Sequence, residues 1–274
     1  MSEIIVESSS PLLHDKIYHE TSVFTADNLL REARRQKRLE PMPVPEVCVL
    51  DPDGDIVRSL VAQRRAMRNP HWACYHSDMY DVECEGVRMG IVGCAVGAAY
   101  AVLVAEQMFA SGCRLLISVT SSGQIARVGE PPYFVLVDKA LRDEGTSMHY
   151  LPPSEYSYLN PDLCDMAAQA LKDAPFPVYR GATWTTDAPF RETATLIERR
   201  QQQGILAVEM EASALYAFAT ACSQPVICLA HVTNQMAVFE GDFEKGEDAG
   251  SRDALLILLK IAQAWQSRQQ HGQK

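Results

Sequence analysis

The sequence predicts a three-layer α/β/α chain around a central mixed, largely parallel sheet. Three observations lead there. From Val47 onward, short apolar runs alternate with helical patterns, the rhythm of strands joined by crossover helices. Strand candidates such as Val226–His231 are apolar, as suits a sheet covered on both faces. The composition, 47% hydrophobic and 22% charged over 274 residues, supports one large core.

The elements follow in order. Residues 1–27 read as an extended lead-in. Asn28–Leu39 reads as a helix capped by Asp27 or Asn28, and it sets Arg31, Arg34, Arg35, Lys37 and Arg38 against one acid, Glu32. Pro41–Pro45 is a proline-rich connector. It divides an N-terminal extension, 1–45, from a single domain, 46–274. Val47–Leu50 is then a strand and Asp55–Met67 a helix. Met79–Cys84 and Val87–Val92 form a hairpin turning at Glu85-Gly86. Ala98–Ala110 is a helix, and Leu115–Val119 and Tyr133–Asp138 are strands. Pro161–Asp173 is a helix, Val178–Thr183 a strand, Arg191–Gln203 a charged helix and Ala207–Glu209 a short strand. Glu211–Ala221 is an apolar helix, Val226–His231 a strand, and Asp253–Gln269 an amphipathic closing helix.

Composition excludes several classes. Lys and Arg number 25 against 35 Asp and Glu, a formal charge of −10, which argues against a nucleic-acid partner. The eight cysteines include no Cys-x-x-Cys pair, so neither a zinc ribbon nor a redox motif is expected. Met1–Ser10 holds two acids and no basic stretch, so no secretory signal is expected, and a reducing cytoplasm fits the free cysteines. Met89–Ala105 lacks charge for seventeen residues, near the lower limit for a membrane span. Gly93 and Gly97 interrupt it, so strand, turn and helix is the expectation, with no membrane partner.

In α/β folds, ligands gather where strands end. Five such places carry polar groups. Gly93-Cys94-Ala95-Val96-Gly97 offers close backbone approach and helix-start N–H groups, but it is neither Gly-x-Gly-x-x-Gly nor a Walker loop. A tight turn without a ligand accounts for it equally well. Val119-Thr120-Ser121-Ser122-Gly123 offers hydroxyls and turn N–H groups; a plain hydroxyl-rich turn is the alternative. Leu141–Tyr150 (LRDEGTSMHY) is dense in polar groups, with a solvated loop as the alternative. Val208–Ala214 (VEMEASA) places two carboxylates where a strand becomes a helix. Either Glu211 serves the helix dipole, or the pair suits sugar hydroxyls. Last, His231–Gln235 (HVTNQ) places an amide, Asn234, that both donates and accepts. His231 and His149 lack the spacing of metal-ligand pairs, so no metal is expected.

In this order, the glycine turn, the Ser-Ser-Gly turn, RDEGTSMHY, VEMEASALY and an Asn after a strand resemble the purine and uridine phosphorylase family. The resemblance covers roughly residues 45–265, and RDEGTSMHY is closest to the uridine branch. The first 40 residues have no clear family equivalent. The resemblance implies a nucleoside phosphorylase-like fold and cleavage of a ribonucleoside N-glycosidic bond. It further implies a homo-oligomer and a small-molecule nucleoside substrate. No cofactor is implied, with phosphate as the co-substrate.

The family's Met-Glu pair carries to Met210 and Glu211, with Glu209 before them. Glu211 would accept from the 2′- and 3′-hydroxyls, and Met210 would pack under the sugar. Ser121, Ser122, Gly123 and Gly93 would line the phosphate or water site, with Ser121 near the reacting carbon. Phe190, with Arg191 beside it, would cover the base; a helix start is the compatible alternative there. Asn234 stands where adenine-using members carry an aspartate. An amide has no proton to give a leaving adenine, so a uracil-like or 6-oxopurine base is expected.

Departures from the family pattern bear on the acceptor. The phosphorylases' arginine before the serine turn is Ser118 here, and Ile56 lies near the other, after the first strand. No arginine stands near Tyr75 and His76 to serve a neighbouring subunit, and the uridine branch's Gln-x-Arg clamp is missing. Phosphate sites favour arginine's planar fork. Three readings stay open: phosphorolysis, with Arg191, or the basic helix reaching across a subunit interface, supplying the cation; hydrolysis by water; and a non-catalytic nucleoside or nucleotide sensor.

Overall fold

A computed structural model describes residues 10–236 and 240–272. Helix α1 (Ala26–Lys37) starts where the Thr25 hydroxyl accepts the Asn28 N–H, and it stops where Arg38 turns left-handed. The cap is therefore Thr25, not Asp27 or Asn28. Leu30 and Ala33 are fully buried and cluster with Ala73 and Ala110, the last residue of helix α3 (Ala98–Ala110). The basic helix is seated on the body of the chain by two apolar side chains one turn apart.

The strands are β1 (Val47–Asp51), β2 (Ala66–Arg68), β3 (Met79–Cys84), β4 (Val87–Gly93), β5 (Leu115–Gln124), β6 (Tyr133–Asp143), β7 (Tyr156–Tyr158), β8 (Val178–Thr186), β9 (Ile205–Glu209) and β10 (Val226–Asn234). The remaining helices are α2 (Asp55–Ala62), α4 (Pro161–Leu171), α5 (Ala194–Gln202), α6 (Ala212–Cys222) and α7 (Ser251–Gly272). Strands β4, β1, β5 and β10 run parallel in that order. β6 joins β10 antiparallel and continues parallel to β8 and then β9. β9 returns to β5 through Gly123 opposite Val208 and Gln124 opposite Ala207. Five strands thus close into a ring, and β1, β4, β3 and β2 extend from it as an open wing.

Helices α2 and α7 pack together over β4, while α1, α3 and α6 form a separate stack. β1 and β10 are buried along their whole length, as strands covered on both faces should be. The uncharged stretch Met89–Ala105 is the end of β4, a turn and the start of α3. Among the described residues no helix is long and apolar enough to cross a membrane. All eight cysteines are free thiols, six of them buried.

Several boundaries differ from the sequence reading. The helix expected over Asp55–Met67 ends at Ala62. Arg64 adopts φ +58°, which reverses the chain into edge strand β2 against β3. The charged helix begins at Ala194, after a separate short turn at Pro189–Arg191. β5, β6, β8 and β10 run several residues beyond their apolar stretches. The apolar pattern stops there, but ladder bonding continues around the ring. Segments read as loops after strands are thus the strands' own polar ends.

Candidate active site

Those polar ends meet around the start of α6. Glu209 closes β9 and is 3% exposed. Its Oε1 accepts from the hydroxyls of Thr183 (3.1 Å) and Thr185 (2.5 Å), and its Oε2 from the N–H groups of Glu211 and Ala212, both 2.7 Å. Two of the four donors are orphan N–H groups of the helix start. Both oxygens are engaged inside the protein, and the four bonds tie β8, β9 and the start of α6 together.

Glu211 is different. It is 1% exposed. Its Oε1 accepts the Gly97 N–H at 2.7 Å, and its Oε2 has no hydrogen-bond partner. Burial pushes its carboxyl up to about 8. The like charge of Glu209 adds to this, and the Gly97 N–H and Thr120 hydroxyl oppose it. A buried carboxyl oxygen with nothing to bind is costly. Met210, between the two acids, is half-buried.

Beside it lies the corner assigned to phosphate or water. The Ser121 N–H donates to Asp53 Oδ2 at 2.7 Å, and the Ser121 and Thr233 hydroxyls share a 3.0 Å bond. The Ser122 hydroxyl turns back to its own chain, on the Thr120 carbonyl. Gly93 packs closely: a Cβ there would stand 3.2 Å from Gly54 Cα and from a Val57 methyl. Asp51 caps α2 through the N–H groups of Gly54 and Val57, and burial raises it to about 6. Lys245 Nζ lies 2.5 Å from Asp55 and 3.7 Å from Asp53. Arg58 pairs with Asp55 and reaches to 3.7 Å from Cys94 Sγ. Asp51, Asp53, Ser121, His231, Lys245 and Ser251 are among the residues around a cavity of about 20 Å³, roughly the space of one water. His231 stacks on Phe134, and burial holds it down at about 4.

Asn234 ends β10. Its Oδ1 accepts the Met236 N–H at 2.9 Å, while Nδ2 reaches Thr233 Oγ1 at 3.2 Å and the Ser122 carbonyl at 3.4 Å. The last of these is long for an N–H donor. Gly123 lies against this amide, since a Cβ on it would meet Asn234 Oδ1 at 3.4 Å. Phe190 is 99% exposed, and within this chain it covers nothing. Arg191 is exposed as well; among the described residues its guanidinium forms no ion pair.

Within one chain the basic helix does not reach this corner. Arg34 binds the Ser111 hydroxyl, Lys37 the carbonyls of Ala73 and Cys74, and Arg31 and Arg35 the neighbouring Glu32. In RDEGTSMHY, Arg142 is buried and holds the carbonyls of Ser147, Leu151 and Pro152. Glu144 accepts from the Ser147 N–H and the Ser213 hydroxyl. Both charged side chains are therefore spent inside the protein.

Sequence reasoning missed Asp53, Arg58 and Lys245. Asp53 and Arg58 sit in and just after the turn that follows β1, where an acid and a basic helix residue look ordinary. Lys245 arrives from the segment before α7, and no local spacing signals it. A separate cleft of about 1020 Å³ opens among Arg114, Tyr158, Met166 and Trp265; none of the predicted site residues lines it.

Comparison with known proteins agrees with this architecture. A sequence model of the "Phosphorylase superfamily" matches residues 47–262. A DeoD-type purine nucleoside phosphorylase of Bacillus cereus is 26% identical over 166 residues, covering 60% of this chain and 70% of that protein. Its counterpart in Bacillus cytotoxicus is 24% identical over 184 residues, covering 66% and 77%. The solved structure of uridine phosphorylase from Vibrio fischeri superposes with a TM-score of 0.66 at 19% identity, covering 84% of this chain and 94% of that one.

Proposed function

Because this chain belongs to the phosphorylase superfamily, we infer that it cleaves the N-glycosidic bond of a ribonucleoside with phosphate as acceptor. The C1′–N bond breaks, its electron pair leaves with the base, and an acceptor oxygen bonds to C1′. One observation carries the reading: Glu211, buried beside the Ser121 corner, keeps Oε2 unpartnered. The ribose hydroxyls supply the missing donors. Once ionised, the carboxylate also faces the positive charge that grows on the ribosyl group. Ser121, Thr233 and Gly97 frame the reacting carbon, and Met210 supports the sugar. Arg58 and Lys245 are the cations at the acceptor corner. Glu209 keeps Glu211 in place.

Asn234 takes the base. Its weakly held Nδ2 suits a carbonyl oxygen, and it has no proton to transfer to adenine. Uridine or a 6-oxopurine nucleoside is the substrate expected. Asn234→Ala should shift the ratio of kcat/KM between uridine and adenosine by about tenfold. Faster release of adenine than of uracil or hypoxanthine by the unaltered enzyme would defeat this assignment. The exposed Phe190 covers the base when a second copy of the chain packs against that loop, so a homo-oligomer belongs to the same reading.

A second reading, hydrolysis, has one specific observation in its favour. Asp53 takes the Ser121 N–H, a donor that an incoming anion would use, and the adjoining cavity suits one water. A panel of nucleosides assayed with and without phosphate decides. Turnover that requires phosphate and yields ribose 1-phosphate supports the first reading. Equal rates in both buffers, with free ribose as product, support the second.

A further inference from the structure

The segment before α1 lies outside the stretch that matches the family, yet it contacts the loop that follows β6. Tyr18 Oη donates to the Met148 carbonyl at 3.2 Å. Lys16 Nζ donates to His149 Nδ1 at 3.0 Å. The methyl groups of Leu12 lie 3.9 Å from where a Cβ on Gly145 would stand. Three contacts along residues 12–18 therefore hold a single loop, 145–149.

That loop is bonded inward on two sides. Toward the base, the Gly145 N–H donates to Asp187 Oδ2 at 2.9 Å, on the segment that carries Phe190 and Arg191. Toward the ribose, the Ser147 N–H donates to Glu144, and Glu144 accepts the Ser213 hydroxyl at 2.8 Å. Ser213 is two residues past Glu211. Its own N–H binds Thr185 Oγ1, a hydroxyl that also donates to Glu209. The lead-in is thus one bonded loop away from both walls of the nucleoside site.

Resting on the nucleoside reading above, we propose that residues 12–18 are a positioning strap. Leu12, Lys16 and Tyr18 fix the 145–149 loop, and through it the relative placement of the base-side segment and the Glu211 helix start. Loss of the strap leaves the reacting groups present but their spacing loose. Nucleoside binding weakens more than the chemical step does.

The test compares the full-length protein with a Leu12→Ser/Lys16→Ala/Tyr18→Phe variant, read by KM and kcat at saturating acceptor. KM should rise about tenfold and kcat change less than about threefold. Lys16→Arg, which keeps a cationic donor, should stay near the unaltered KM. If the triple variant does not fold, Tyr18→Phe carries the test alone, with a rise of about threefold in KM. A KM that matches the unaltered protein, whatever happens to Tm, overturns the strap. If the unaltered protein turns over no nucleoside, the reaction assigned above fails. The strap is then read from the nucleoside dissociation constant by calorimetry, where the same rise is expected. Absence of nucleoside binding by the unaltered protein overturns both.

Discussion

Glu211→Gln should lower kcat/KM for nucleoside cleavage by about 10³-fold while leaving the fold intact. The substitution keeps an oxygen to accept the Gly97 N–H and keeps the shape. What it removes is the capacity to become a carboxylate under the sugar. The pH profile carries a further signature. The Glu211 carboxyl ionises at about 8 in the unliganded protein. Below that pH most of it is neutral, and the ionised form grows as pH rises. The unaltered enzyme's kcat/KM should climb toward pH 8 and level beyond it, whereas the glutamine variant should lack that limb. Stability moves the opposite way. Between the ordinary value of 4.5 and about 8, the unfolded chain has lost a proton that the folded chain keeps. Folding then takes up a proton, and stability declines as pH rises through this window. Glu211→Gln should flatten that decline in a series of thermal melts. Unchanged activity across the pH range would remove Glu211 from the site.

Two residues earlier, removal of the other acid should produce the opposite outcome. Glu209→Ala should cost about 4 kcal/mol of stability and lower Tm by about 10 °C. Four donors converge on this carboxylate, two threonine hydroxyls and two helix-start N–H groups. Alanine leaves them buried without an acceptor. It also frees the junction between β8, β9 and α6, so activity should fall together with folded protein. The contrast between the two acids is the informative part. If Glu209→Ala melts with the unaltered protein and Glu211→Gln does not, their assigned tasks are reversed.

The sequence showed this division of labour only in part. Apolar runs such as VICLAH located the core strands, and the paired acids of VEMEASA fall where β9 gives way to α6. Strand ends were misjudged because polar side chains there read as loops, although ladder bonding around the ring continues through them. The polar density of RDEGTSMHY left a solvated loop open as its explanation; instead the Arg142 guanidinium fastens backbone carbonyls. Phe190 was expected on the base and stands in solvent within one chain. Asp53 and Lys245 were silent because they meet only in three dimensions, and tertiary pairing of distant charges leaves no periodicity to read. The N-terminal grip on residues 145–149 was equally hidden, since Leu12, Lys16 and Tyr18 form no motif.

The Asp53 carboxylate on the Ser121 N–H has a consequence for selection among acceptors. It behaves as a tethered ligand, present at a high effective concentration that no dilution lowers. A dianion that wants the same N–H must outcompete this resident and then tolerate its charge nearby. A neutral molecule faces no such contest. On the phosphorolytic reading proposed above, this one backbone hydrogen bond would act as a threshold on anion concentration.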